Sequence, residues 1–352
     1  MTTRVLVDGR LLAPGFSGVR DVAVGLVDAL RATAGPGQEV LVAGRAATDD
    51  VPLPGRGFMH LQLPRAAAAT RSDVVLVPRQ ARPLVCPVPV VPVFHDVGFL
   101  RARSAYRSSW RVRAADRLAR ASRRGLSVSA FTADEVAATG ARVQVQPLPL
   151  GAMHPVRWVP DVSLPYVLCV AVQEPHKNLE RLVRAWGRAR PDGYQLVLCG
   201  RAGAATPDLR RAVADLGLEG QVECVSGLPD AEYQDLLAGC SAYVQPSFYE
   251  GLCIPALDLA AAGVPTVVGR AGNLGRVFAD APAHALVDPG STDDLARAVT
   301  AVTSDPTTRA ALTSWNRAHV ALTRWDDVGR VAWSVLDEAA TTRGRRSVGA
   351  TA

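Results

Sequence analysis

The sequence predicts an α/β protein built from two doubly wound parallel sheets, and three observations carry that expectation. At 352 residues the chain is long for one hydrophobic core, so two domains of roughly 150 to 180 residues are expected. Short β-branched runs alternate with longer amphipathic segments, as in sheets whose parallel strands are joined by helices. The alternation restarts after a Pro-rich connection at 146–166.

In order, the strand candidates of the first half are VLV at 5–7, EVLVAG at 39–44, DVVLVP at 73–78, VVPVFH at 90–95 and LSVSA at 126–130. Those of the second half are YVLCVAV at 166–172, QLVLCG at 195–200, VECVSG at 222–227, AYVQPS at 242–247 and TVVG at 266–269. The expected domains are 1–152 and 166–325, with a linker at 153–165. A C-terminal helix over 326–352 is expected to pack back toward the first domain and to end in a disordered tail. Ligands of such sheets sit at the carboxyl ends of strands. A dinucleotide fold would place G-x-G-x-x-G after a strand, but the first loop offers only Gly15-Phe16-Ser17-Gly18, which sets NAD chemistry aside.

Hydrophobic residues make up 48% of the chain and charged residues 20%, a composition of ordered globular proteins. The six cysteines are scattered through apolar runs without C-x-x-C or zinc spacing, so they read as reduced core residues. The N-terminus enters a strand pattern directly, without the features of a signal peptide, and no apolar run reaches membrane-spanning length. A cytoplasmic protein is expected. The net charge of +6 is concentrated at 101–124, where nine arginines face one acid, Asp116. That surface should attract an anionic acceptor or the inner face of a membrane; a solvated helix face is the alternative. Nucleic acid is not expected, since no binding motif accompanies the arginines.

Lys177 is the single lysine among 39 basic residues. It follows the 166–172 strand and precedes the amphipathic helix that Asn178-Leu179-Glu180 opens. An ammonium beside a helix N-terminus suits phosphate, whereas a leftover surface cation is the plainer reading. A second constellation runs from Pro246 through Glu250-Gly251-Leu252-Cys253 to Asp258 and on into LAAAGVPTVVG. Read as one helix after a Gly turn, it carries two acids eight residues apart, a rise of about 12 Å. Two such carboxylates could grip hydroxyls at opposite ends of one nucleotide sugar. Taken alone, Glu250 has a helix-start acid as its alternative reading, whereas Asp258 reads first as a solvated helix acid.

These segments, together with VDGRLLAPGFSGVRDV, VFHDVGFL, LSVSAFTADEV, VQPLPLG, VSGLPDAEYQDLLAGCSAYVQPSFYEG and ALVDP in the same order, resemble the retaining nucleotide-sugar glycosyltransferases of the GT-B fold. The group is glycosyltransferase family 4, group 1 type, which includes bacterial mannosyltransferases and glycogen synthases. The resemblance implies two Rossmann-like domains facing a cleft. It also implies transfer of a hexose-type sugar, with retained configuration, from a nucleoside-diphosphate sugar to an acceptor hydroxyl. By resemblance Lys177 holds the donor diphosphate with Asn178 beside it, and Glu250 binds the transferred sugar. Gly251 and Leu252 support sugar and phosphate, Asp258 holds the ribose, and His95 faces the sugar from the first domain. Gly18 and Arg20 approach the phosphates, although a solvated Arg20 is equally consistent. Ser129 borders the cleft or caps a helix.

Three departures bear on the donor. Asp258 stands where the family usually has Glu, no Arg precedes Lys177 in Ala171-Val172-Gln173, and Cys253 replaces a common Gly. No Asp-x-Asp occurs, so no metal and no other cofactor is expected, and the cations of the protein stabilise the leaving diphosphate. The acceptor is open among a small molecule, a polysaccharide and a lipid-linked sugar. Rival readings are a nucleotide-sugar epimerase, a pyridoxal-phosphate phosphorylase with Lys177 as Schiff base, and a non-catalytic subunit decayed from an enzyme.

Overall fold

The computed structural model describes residues 2–13, 17–46, 49–54, 56–101, 110–161 and 163–348. The strands in chain order are β1 (Thr3–Asp8), β2 (Gln38–Gly44), β3 (Val51–Pro52), β4 (Val74–Val77), β5 (Val90–Phe94), β6 (Arg124–Ser127), β7 (Gln144–Pro147), β8 (Tyr166–Val170), β9 (Gln195–Cys199), β10 (Val222–Val225), β11 (Ala242–Gln245), β12 (Thr266–Gly269) and β13 (Leu286–Val287). The helices are α1 (Gly18–Ala32), α2 (Leu63–Ala69), α3 (Gly98–Arg101), α4 (Trp110–Ala119), α5 (Ala130–Ala137), α6 (Leu179–Ala189), α7 (Thr206–Asp215), α8 (Asp230–Gly239), α9 (Ile254–Ala262), α10 (Gly272–Val277), α11 (Thr292–Ser304), α12 (Pro306–His319) and α13 (Trp325–Val348).

The chain divides into two compact units, one of Met1–Val97, Ser108–Leu150 and Arg324–Ala352, the other of Gly98–Arg107 and Gly151–Thr323. Each contains one parallel sheet, ordered β3-β2-β1-β4-β5-β6-β7 in the first and β10-β9-β8-β11-β12-β13 in the second. The central strands β4 (VVLV) and β5 (VVPVF) are buried at every position, as expected of strands covered on both faces. Three strands lie outside the sequence-based set. β3 and β13 are two residues each, and β7, Gln-Val-Gln-Pro, alternates exposed and half-buried positions at a sheet edge without an apolar run.

The two sheets share one winding. In the first, the chain steps outward from β1 to β2 and β3, then resumes on the other side of β1 with β4. In the second, it steps from β8 to β9 and β10 and resumes beside β8 with β11. The direction reverses between β1 and β4 and between β8 and β11, and the carboxyl ends of those pairs are where such sheets take ligands.

The 153–165 segment, expected as a linker, packs on the second unit. Trp158 donates its indole N–H to Cys240 O at 2.7 Å, and the amides of Val159 and Asp161 donate to Ala238 and Gly239. Its prolines mark an extended strap rather than a free connection. Helix α13 is part of the first unit, where Trp333 Nε1 donates to Leu30 O at 2.9 Å and Gln38 Nε2 to Asp337 at 2.8 Å. The end of the expected tail, 349–352, lies outside the described residues.

Candidate active site

After β8 the chain turns through a single 3-10 turn, Pro175–Lys177, and Asn178 then takes a left-handed conformation (φ 59°) that launches α6. Helix α6 is fixed by Leu179, Leu182, Val183 and Trp186, all buried in the core of the second unit. Asn178 is itself buried, and its Nδ2 donates to Pro246 O at 3.0 Å and Pro289 O at 2.7 Å. Its side chain therefore staples the β8 loop to the end of β11 and to the loop after β13. The side-chain amide of Asn178, expected beside the phosphate, is thus committed to the fold.

That staple sets Lys177 against Glu250. The Nζ lies 2.8 and 2.9 Å from the two carboxylate oxygens, across 73 residues of sequence. Oε1 of Glu250 also accepts from Ser247 Oγ at 2.6 Å and from Gln245 Nε2 at 3.3 Å, and Gln245 Oε1 accepts from the Tyr243 phenol hydroxyl at 2.6 Å. Tyr243, Gln245 and Ser247 were not among the sequence candidates. Their signal is alternation along β11, which puts all three on one side of the strand as it runs into the loop. The pair is largely enclosed, with side-chain exposures of 20% for Lys177 and 9% for Glu250. Breaking such a pair by removing one partner typically costs about 3–5 kcal/mol. Burial, with Lys177 next, pushes the neighbouring His176 down to about 4, so its imidazole is neutral at neutral pH.

Glu250 stands on a loop rather than on the helix that the eight-residue spacing suggested. Cys253 adopts φ 67°, ψ 72°, and α9 begins only at Ile254, with Pro255 in its first turn. Proline supports a helix start, because its fixed φ fits and its missing N–H is not needed there. A left-handed non-glycine residue costs about 1–2 kcal/mol, which explains why glycine suits position 253. Behind Glu250 the backbone of Gly272 (φ 74°) approaches so closely that a Cβ there would lie 2.7 Å from Glu250 N and O. The Asn273 amide donates to Glu250 O at 2.9 Å, fixing the loop from that side. Gly251 and Leu252 are both buried in this loop.

Asp258, expected to grip a ribose, is buried and already engaged. Its Oδ1 accepts the amides of Met153 at 2.6 Å and His154 at 3.1 Å, and its Oδ2 lies 2.8 Å from His154 Nδ1. The shorter acid latches the 151–154 strap onto α9, and the half-exposed His154 imidazole stands at its outer edge. Lys177 and Glu250 are thus brought together, while Asp258 is committed to a separate contact.

The remaining candidates belong to the first unit. His95 follows β5, and its Nε2 lies 3.0 Å from Pro78 O, an acceptor-only partner that assigns the proton to Nε2 and leaves Nδ1 as the acceptor. Burial pushes its pKa down to about 4. Gly18 opens α1, and Arg20 donates from Nε to Ala13 O at 2.9 Å with Asp21 3.8 Å from its guanidinium. Gly15 and Phe16 lie outside the described residues. Ser129 caps α5, its Oγ accepting from Thr132 N at 3.1 Å, which selects the capping role. In the arginine-rich stretch, Arg103 and Arg107 lie outside the described residues, and Asp116 is buried with Arg120 at 2.7 Å. No group of three His, Cys, Asp or Glu suited to a metal occurs among the described residues.

Residues 156–319 match the family described as "Glycosyl transferases group 1". Over that span the chain is similar to group 1 glycosyl transferases. The matched span contains Lys177, Glu250 and Asp258, and the curated relatives align over a similar length. O-antigen chain mannosyltransferase B of Escherichia coli is 28% identical over 165 residues, 46% of this chain and 43% of its own. An MMP alpha-(1->4)-mannosyltransferase of Mycolicibacterium hassiacum is 30% identical over 168 residues, 47% of this chain and 41% of its own. The chain thus spans under half the length of these relatives. Solved structures extend the likeness in fold to nearly all of the chain. HepE of Anabaena in complex with UDP and glucose superposes with a TM-score of 0.74 at 16% identity, covering 96% of this chain and 100% of that one. WaaG, a glycosyltransferase involved in lipopolysaccharide biosynthesis, gives 0.69 at 15% identity, covering 96% and 98%. The matched span and the first unit together have the GT-B fold, two Rossmann-like parallel-sheet domains.

Proposed function

We propose that this chain is a retaining glycosyltransferase that moves a hexose-type sugar from a nucleoside-diphosphate sugar to an acceptor hydroxyl. The observation that carries the reading is the enclosed Lys177–Glu250 pair at the β8/β11 switch point of the span similar to group 1 glycosyl transferases. In this reading the donor diphosphate draws Lys177 Nζ partly off Glu250, and the freed carboxylate orients the transferred sugar. As the bond to the anomeric carbon breaks, charge grows on the leaving phosphate, and Lys177 stabilises it without a metal. The same phosphate takes the acceptor proton on the face it leaves, so configuration is retained. Gln245 and Ser247 hold Glu250 in place through this change.

The names of the relatives and the ligands of HepE make GDP-mannose and UDP-glucose the first donors to test. Calorimetry with UDP and GDP, followed by transfer and hydrolysis assays with a nucleotide-sugar panel in the presence of EDTA, is the measurement. Binding of one nucleotide and EDTA-resistant release of its sugar with retained configuration is expected. Failure of every nucleotide to bind would defeat the reading.

The arginine-rich stretch adds a proposed contact with an anionic acceptor or membrane. On α4, Trp110 is 71% exposed, and the Arg111 guanidinium lies 5.6 Å from its ring centre. Salt-dependent binding to anionic vesicles, reduced by reversing Arg111, Arg117 and Arg123, tests it. No helix among the described residues is long and apolar enough to cross a membrane.

A further inference from the structure

The first unit carries a charge cluster at its own switch point that the donor chemistry does not use. Asp8 ends β1, Arg10 lies in the 3-10 turn Gly9–Leu11 that follows, and Arg79 comes two residues after β4. Asp8 is buried, and Arg10 takes both of its oxygens, Nε to Oδ1 at 2.8 Å and Nη2 to Oδ2 at 2.6 Å. The Arg10 guanidinium also stacks 4.2 Å from the ring centre of the buried Phe58, which fixes its plane. This pair is closed, and the one negative charge in it is spent.

Arg79 is left over. Its Nη2 is 3.7 Å from Asp8 Oδ2, beyond hydrogen-bond length, and its Nε is buried with no hydrogen-bond partner. Burial lowers its pKa; Asp8 opposes that shift and Arg10 adds to it. A guanidinium that is partly desolvated, incompletely paired and still 37% exposed is a preformed fork for an oxyanion. The turn that carries it is fixed, since Arg79 N donates to Val77 O at 2.7 Å and Pro78 O meets His95 Nε2 at 3.0 Å. His95 and Arg79 are thereby set on the same strand-end framework.

We infer that Arg79, backed by Arg10 and Asp8, is an anion subsite of the first unit that takes the phosphate group of a phosphorylated acceptor. That the ligand is an acceptor rests on the glycosyl-transfer reading; that the site takes phosphate rests on the cluster alone. The same chemistry is offered by a soluble phosphate ester and by a phospholipid headgroup. Exposed apolar residues on neighbouring turns, Leu61 beside Phe58 and Leu84, whose amide donates to His60 Nδ1, make the headgroup worth a separate arm.

The test is titration of the full chain with sn-glycerol 3-phosphate against glycerol, and with phosphatidylcholine vesicles with and without phosphatidic acid. All titrations are made on a Lys177→Ala background, so that phosphate bound at the donor site is not counted. Arg79→Gln should weaken phosphate binding about tenfold or more, the loss of one charge-assisted contact, while Arg79→Lys, which keeps the charge but not the planar fork, should fall between that variant and the parent. Dependence on Arg79 with glycerol 3-phosphate identifies a soluble ester, and dependence only with phosphatidic acid identifies a headgroup; either supports the subsite. Equal phosphate affinity in the parent and in folded Arg79→Gln, or equal binding of glycerol and its phosphate, overturns it. UDP and GDP are titrated separately into protein with Lys177 intact. If neither binds while phosphate still depends on Arg79, the subsite stands and the glycosyl-transfer reading falls.

Discussion

The two switch points of this protein have the same topology and different charge balances. At β8/β11 one lysine meets one glutamate at hydrogen-bond distance, and side chains from β11 brace the acid. At β1/β4 two arginines share one aspartate, and the second is left 3.7 Å away with a buried, unpartnered Nε. A closed pair stores a charge that a ligand must displace, whereas a surplus cation awaits one. Winding decides where a ligand goes, and the count of charges at the strand ends decides what kind.

The largest expected effect breaks the closed pair. Glu250→Ala should still fold, at a cost of about 3–5 kcal/mol for the broken pair, and lower turnover by on the order of a hundredfold or more, with nucleotide affinity held or raised because Lys177 is freed. Lys177→Ala should weaken nucleoside-diphosphate binding about ten- to a hundredfold and lower stability by about 3–5 kcal/mol, because Glu250 stays buried without its cation. Calorimetry and denaturant melts on both variants separate the two roles, and unchanged nucleotide binding by Lys177→Ala would remove the lysine from the donor site.

Next comes the latch. Asp258→Ala leaves the amides of Met153 and His154 without their acceptor, and a loss of about 3 kcal/mol in urea unfolding is expected. If Asp258 also grips a ribose, nucleotide affinity falls beyond what His154→Ala alone produces; equal affinities in the two variants would confine Asp258 to the strap.

A smaller effect compares the units through pH. His95 in the first unit and His176 in the second both have pKa values pushed down from 6.5 to about 4. Between those values the unfolded chain binds more protons than the folded one, so stability falls as pH drops from 6.5 toward 4 and is flat in this respect above 6.5. Melts at pH 7, 5.5 and 4.5 of the parent, His95→Gln and His176→Gln should show a shallower slope in each variant. An unchanged slope in one variant would acquit that histidine.

The smallest effect concerns the loop beneath Glu250. Cys253→Gly relieves a left-handed side chain but loosens the unfolded chain, so the net stability change should stay within about 1 kcal/mol. A thermal melt measures it, and a loss of several kcal/mol would mean that the half-buried thiol packs more tightly than its strained backbone suggests.

Spacing and periodicity by themselves placed Lys177 at the start of α6, put Glu250 after β11 and divided the chain into two α/β halves, because these are local properties of strands, turns and helix starts. The sequence also contains every residue of the Asp8, Arg10 and Arg79 cluster, but nothing local links its ends. Asp8 and Arg79 meet only because β1 and β4 are neighbours in the sheet although two strands separate them in the chain. The same holds for Asp258, whose partners lie 104 and 105 residues away in a strap that composition presents as a linker. A helical rise assigned Glu250 and Asp258 to one helix. The left-handed turn at Cys253 and the start of α9 at Ile254 put them on different elements, and a cysteine does not announce a left-handed backbone as a glycine would. Local order was thus legible in the chain, while the pairing of charges was left to strand adjacency, since an ion pair depends on distance in space and not on separation in sequence.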